Sequence, residues 1–260
     1  MNSVKVLSIT GMHRSGTSLV SSWMERCGLA TNDGDLYGPA AGNLKGHFED
    51  REFVDLHAEA LKRMFPRSKG WIAKPNQQLD FTPDLRARAR ALIEKRNKTY
   101  TLWGWKDPRT ILFYEEWKRL IPDLKFVCTW RPCLDVLDSL VRRSRASDNA
   151  VMKISRPDAL KLWVAYNKQI IFLKKCWPKD TLIFSVKELI REDQRVFELI
   201  RNTFDMRLTY IPLADLLEPT LFKSSLHTTN IMSLFCRLSE VHSIETELIQ
   251  LSETVMIHPR

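Results

Sequence analysis

A chain of 260 residues and 30.4 kDa, 44% hydrophobic and 27% charged with 9 Gly and 12 Pro, has the composition of an ordinary globular domain. That balance excludes a collagenous, repeat or largely disordered chain. Lys plus Arg number 40 against 31 Asp plus Glu, a formal charge of +9 and a pI of about 9.4, which favours an anionic partner: nucleic acid, an acidic lipid surface or a phosphorylated small molecule.

No apolar run reaches the roughly 18 residues of a membrane span, and residues 1–10 lack the apolar core of a secretory signal. The five cysteines (Cys27, Cys128, Cys133, Cys176, Cys236) are scattered, with no C-x-x-C pair. The expectation is one cytoplasmic domain over residues 1–260, with reduced thiols, no membrane span and no metal.

Residues 4–10 (VKVLSIT) read as a β-branched strand ending in a glycine turn, and residues 17–27 place Leu19, Val20, Trp23, Met24 and Cys27 at helical spacing. Residues 29–42 and 66–82, rich in Gly, Pro, Asn and Asp, predict loops that flank a helix over 51–64. A further helix over 83–96 precedes strands at 100–106, 125–130 and 181–186, each followed by a helical pattern. Helices are expected over 158–177, 192–204 and near 231–255. Strands alternating with helices at this spacing imply right-handed crossovers and an α/β architecture of three layers, a mainly parallel sheet between helices. Ligands of such sheets sit at the carboxyl ends of the strands.

The first of those ends carries the sequence GMHRSGTS, residues 11–18, with glycines five apart between a strand and a helix. Glycines let consecutive N–H groups and the helix amino terminus point at one anion. A Walker A loop, G-x-x-x-x-G-K-S/T, would have lysine where Thr17 stands, and the cation has moved inward to Arg14. The third predicted strand ends in Arg131 and Pro132, with Ser139 eight residues beyond the arginine. Arginine presents a planar donor fork and serine a hydroxyl.

A strand followed by K/R-S-G-T-S/T resembles the 5′-phosphosulfate loop of sulfotransferases that use 3′-phosphoadenosine 5′-phosphosulfate (PAPS). Their 3′-phosphate motif is similar to Arg131 and Ser139. The resemblance extends over residues 4 to about 190. Residues 104–109 (GWKDPR) resemble the K-D-P-R segment of bacterial-type members, residues 43–50 (NLKGHFED) resemble their N-x-K-G segment, and residues 184–189 (FSVKEL) loosely resemble Y-E-D-L. Val186 stands where tyrosine is usual there, and the R-K-G segment of the eukaryotic cytosolic branch is missing. Residues 218–223 (EPTLFK) resemble a P-x-L-R/K ending, which gives Lys223 a weak cofactor role.

The resemblance implies a P-loop-like sulfotransferase that uses PAPS, without a metal, to sulfate a hydroxyl or amine of a small molecule or carbohydrate. His13, Arg14, Ser15, Gly16, Thr17, Ser18, Arg131, Ser139 and Lys223 would then bind the cofactor. Arg14 would also stabilise the leaving group, and Lys106 would be a second cation at the sulfuryl. Glu49 is the implied general base, with His47 the rival because an imidazole titrates near neutrality. Phe48 and Phe53 are candidate apolar walls around Glu49. Two other readings are a P-loop kinase with a degenerate loop and a basic nucleic-acid module. The order and spacing of two anion motifs favour the transferase, with no nucleic-acid partner expected.

Overall fold

The computed structural model describes residues 4–34, 49–66, 68–71, 79–216 and 235–253. Four strands, β1 (Lys5–Gly11), β2 (Leu102–Lys106), β3 (Lys125–Trp130) and β4 (Thr181–Ser185), pair in parallel in the order β2-β1-β3-β4. Parallel strands need crossovers, and the connecting helices cover both faces of the sheet. They are α1 (Thr17–Arg26), α2 (Arg51–Met64), α3 (Pro83–Thr99), α4 (Tyr114–Leu120), α5 (Cys133–Ala146), α6 (Arg156–Cys176), α7 (Val186–Arg191), α8 (Asp193–Thr203) and α9 (Phe235–Leu251). This is the expected three-layer α/β arrangement.

Alternate residues of each strand enter opposite cores, because successive side chains of a strand leave opposite faces. Val6, Trp105, Phe126, Cys128 and Ile183 pack with residues of α2 to α6 and α9. Leu7, Ile9, Val127, Leu182 and Phe184 pack with Val20, Trp23 and Met24 of α1 and with Val196, Phe197 and Ile200 of α8. The tryptophans of the first core are structural: Phe53 stacks on Trp105 at 4.4 Å between centroids, and Trp117 lies 4.8 Å from Trp105. No helix of the described residues is long and apolar enough to cross a membrane.

Departures from the sequence reading are local. Tyr100 ends α3 instead of opening β2, since its N–H bonds to Arg96 O at 2.9 Å and prolongs the helix. After β2 the chain makes a 3-10 turn, Pro108–Leu112, and only a seven-residue helix, α4. Pro108 has no N–H to give, and Asp107 caps the turn by accepting from Arg109 N at 3.0 Å.

The sheet order fixes where a ligand can enter. From β1 the chain crosses to β2 on one side, whereas β3 lies on the other side of β1, so the loops after β1 and β3 flank a crevice at their carboxyl ends. Thr10 ties the third loop to it, donating to the carbonyls of Asp107 at 3.1 Å and Pro108 at 3.2 Å.

Candidate active site

β1 ends at Gly11, where a Cβ would lie 2.2 Å from the Thr129 carbonyl oxygen, so only glycine keeps β1 against β3 up to the loop. The chain turns through Arg14, held in the left-handed region at φ 68°, and enters α1 at Gly16 with φ 82°. No side chain caps α1, and the fully buried Ser15 hydroxyl has no hydrogen-bond partner among the described residues. The positive end of a helix dipole and a buried hydroxyl without a partner among the described residues together fit a phosphate or sulfate group. Thr17 is buried as the first residue of α1 and Ser18 is partly exposed beside it. A Cβ on Gly16 would come within 2.6 Å of Val186, so Val186 packs directly on this loop. At the start of α5, by contrast, Glu245 already accepts from Cys133 N at 2.7 Å.

The two anion motifs meet. Arg14 Nε donates to the Ser139 hydroxyl at 2.9 Å, from the β1 loop to the inner face of α5. Arg131 stands at the end of β3, where Trp163 Nε1 holds its carbonyl at 3.1 Å and Asp135 lies 3.3 Å from its Nε. Pro132 is the N-cap of α5, with Cys133 the first helical residue. Burial, then Arg131 and Arg142, lower the pKa of Arg14. Burial, then Arg14, push Arg143 down to about 10, with Glu49 opposing. Neither Arg14 nor Arg143 has a carboxylate partner among the described residues. Cations that depress one another's proton affinity form a site that an anion relieves.

A second cluster lies at the end of β2. Lys106, 2% exposed, donates to Glu49 Oε1 at 2.7 Å, and Arg109 approaches Glu49 Oε2 at 3.5 Å. The base and the second cation expected from the sequence are thus an ion pair. The adjacent carboxylates are divided in role. Asp50 caps α2 by accepting from Glu52 N at 3.0 Å and pairs with Arg96 at 2.5 Å, while Glu49 faces Lys106. Phe53 belongs to the tryptophan core described above, which corrects its placement as a wall of Glu49; β2 carries Trp105 inward and Phe53 follows it. His47, Phe48 and Lys223 lie outside the described residues.

Behind Glu49 runs a buried polar chain. The Trp117 indole donates to His57 Nε2 at 2.7 Å, so His57 carries its proton on Nδ1 and donates it to Asp107 Oδ2 at 2.7 Å. Burial keeps the His57 pKa low against the pull of Asp107. Burial alone would raise Asp107, but Arg109 and His57 hold its carboxyl well below the usual range. Asp107 in turn receives Arg109 Nε at 2.8 Å, fixing the guanidinium that reaches toward Glu49.

His13 occupies the opposite wall. Tyr166 donates its hydroxyl to Trp71 O at 2.9 Å and so accepts from His13 Nε2 at 3.3 Å. Burial, then Arg109 and Arg143, hold His13 well below its ordinary pKa. It is a neutral ring whose remaining acceptor is Nδ1. Of the residues expected at the cofactor, His13, Arg14, Ser15 and Gly16 lie in the β1 loop and Thr17 and Ser18 open α1, and Arg14 joins the loop to Ser139. His57, Trp117, Tyr166 and Trp71 carry no sequence signal of their own. Their partners are 50 to 153 residues away, beyond any local spacing rule.

No protein-family model matches the chain. No curated protein matches it either. Among solved structures it is similar to a sulfotransferase from Alicyclobacillus acidocaldarius, with a TM-score of 0.55 and 12% identity over 94% of this chain and 95% of that one. A sulfotransferase from Mycobacterium tuberculosis H37Rv gives a TM-score of 0.47 and 12% identity over 96% of this chain and 77% of that one. The sulfotransferase domain of the Synechococcus PCC 7002 olefin synthase gives 0.47 and 16% over 97% and 94%. The first of these likenesses shows the fold: the chain has the α/β fold of the sulfotransferases.

Proposed function

We propose that this protein is a sulfotransferase that moves a sulfuryl group from PAPS to a hydroxyl or amine of a small molecule or carbohydrate. The observation that carries the reading is the junction of the two anion motifs, Arg14 Nε on Ser139 Oγ at 2.9 Å beside Arg131. A donor with separate 5′ and 3′ anionic groups needs two such receptors side by side, and a nucleoside triphosphate needs a lysine where Thr17 stands. The fit is supported by the uncapped α1 terminus and the stranded Ser15 hydroxyl.

In this reading the α1 terminus, Ser15, Thr17 and Ser18 hold the 5′ end of the donor. Arg131, Ser139 and Arg14 hold the 3′ phosphate, and Arg14 spans the two. When bound, PAPS supplies an activated sulfuryl group on a phosphate leaving group. Glu49 takes the proton from the acceptor hydroxyl. Its neutralisation releases the Lys106 ammonium to face the negative charge that builds at the leaving oxygen, the stage at which fixed cations lower the barrier. Arg109, anchored through Asp107, His57 and Trp117, keeps the Glu49 carboxylate oriented.

The test is thermal stability with adenosine 3′,5′-bisphosphate (PAP) against ATP with Mg²⁺. At 100 times the dissociation constant, PAP contributes about 2.7 kcal/mol, a rise of several degrees for a domain of this size. ATP with Mg²⁺ leaves the midpoint unchanged. Equal shifts with both nucleotides would refute the assignment and favour the kinase reading.

A further inference from the structure

Arg143 stands one helical turn beyond Ser139 on α5, on the face turned to the crevice. It is 8% exposed, and its Nε is buried without a hydrogen-bond partner among the described residues. Its guanidinium lies over the Trp71 ring, 5.4 Å from the centroid, and has no ion pair among those residues. A guanidinium desolvated to this degree without a carboxylate is costly, and one cation–π contact offsets only part of that cost. Among the described residues, then, no carboxylate pairs with Arg143, and Glu49 acts on it only at a distance.

The surroundings say which anion. Trp71 belongs to the 66–82 segment, which the sequence reads as a loop. It is fixed at both ends: its indole donates to Val151 O at 3.0 Å and its carbonyl accepts from Tyr166 at 2.9 Å. Its ring meets His13 edge-on at 5.4 Å. Arg143 is thus walled by Trp71 and lies within electrostatic reach of both Arg14 and Glu49, the group that takes the acceptor's proton in the proposed reading. The donor's own phosphates are accounted for by the β1 loop, Arg131 and Ser139.

Resting on the sulfotransferase reading, we infer that Arg143, presented on the Trp71 ring, receives an anionic group of the acceptor. The substrate class is then a hydroxylated molecule that carries a carboxylate, sulfate or phosphate besides the hydroxyl to be sulfated. A planar fork with free donors suits any of these oxyanions, and the buried setting makes each contact count for more than it would in water.

The experiment saturates the full-length protein with PAP and titrates it calorimetrically with 3-(4-hydroxyphenyl)propionate and with its uncharged amide at constant ionic strength. The parent should bind the carboxylate about 10-fold more tightly or better. Arg143→Met should bring the two ligands within about 2-fold of each other, with PAP affinity held within about 3-fold and the ligand-free melting temperature not lowered, since a buried unpaired cation is removed. Equal binding of both probes by the parent overturns the inference. So does a preference that persists in Arg143→Met, a variant that fails to fold, or a PAP loss as large as that of Arg131→Ala, which would assign Arg143 to the donor. Failure of the parent to bind PAP at all would instead overturn the sulfotransferase reading.

Discussion

Arg131→Ala separates recognition from folding. Among the described residues the Arg131 side chain pairs with Asp135 at 3.3 Å, with side-chain exposures of 14% and 37%. An ion pair that open is worth about 0 to 1 kcal/mol. Against this loss, Arg131 is the strongest neighbouring charge that depresses Arg14, so its removal relieves repulsion. The melting temperature should therefore move by no more than a few degrees. With ligand bound, the same substitution deletes charge-assisted hydrogen bonds to the 3′ phosphate, each worth about 1.5 to 3 kcal/mol, or about 10- to 150-fold in affinity. Calorimetric titration with PAP should show that loss, while adenosine 5′-monophosphate, which lacks the 3′ phosphate, should bind parent and variant alike. An equal loss for both nucleotides would mean that Arg131 acts elsewhere in the cleft. A large fall in melting temperature would mean that its role is structural.

Glu49→Gln should lower turnover about 100-fold or more with PAP affinity within a few-fold, because the amide oxygen still accepts from Lys106 but takes no proton. His47→Ala is its control, and abolition of turnover by His47→Ala with near-normal Glu49→Gln would move the base to His47. Stability should fall with acid. The folded-state pKa values of His13 and His57 are lowered, so below about pH 6.5 the unfolded chain binds protons that the folded chain refuses. Their contribution is complete above that pH and is lost beneath it, at up to about 1.4 kcal/mol per pH unit for each ring. Asp50, which burial pushes up to about 6, gains a proton in the folded state below that pH and offsets one of the two. His13→Gln should flatten the slope of urea-unfolding free energy between pH 6 and 5 by about 1.4 kcal/mol per unit. An unchanged slope would show that His13 takes up its proton while folded.

On the proposed reading, the donor side of the site is legible in the sequence and the acceptor side is not, for a physical reason. A cradle of backbone N–H groups needs consecutive residues, so Gly11, Arg14, Ser15 and Gly16 must lie together in the chain. The arginine and serine of the second motif share one strand end and the helix that follows it. Secondary structure was legible for the same reason: α2 and β3 fall on the expected residues because periodicity and turn residues are local. Glu49 was legible only through its segment's resemblance to a known one. Trp71 meets Tyr166, and His57 meets Asp107 and Trp117, by tertiary folding alone, and nothing in their local spacing distinguishes them from core residues. Trp105 and Trp117 show the converse: conspicuous aromatics that the fold spends on its core.

The ligand-free cleft is arranged against its own stability. Arg14 holds a backbone conformation that costs a non-glycine residue on the order of 1 kcal/mol, and its guanidinium is partly buried beside Arg131 and Arg142. Arg143 is buried without a hydrogen-bond partner for Nε, and Ser15 keeps a hydroxyl without one among the described residues. None of these features stabilises the fold by itself, whereas on the proposed reading all become favourable when oxyanions bind, because the receptor needs no rearrangement to meet them. Preorganised repulsion also selects among anions. A ligand with a single charge can satisfy one of the two motifs, but Arg14 couples the β1 loop to Ser139, so the full gain requires a ligand with anionic groups at both ends. On the proposed reading, these unfavourable features are themselves a source of specificity for a doubly anchored donor over singly anchored phosphates.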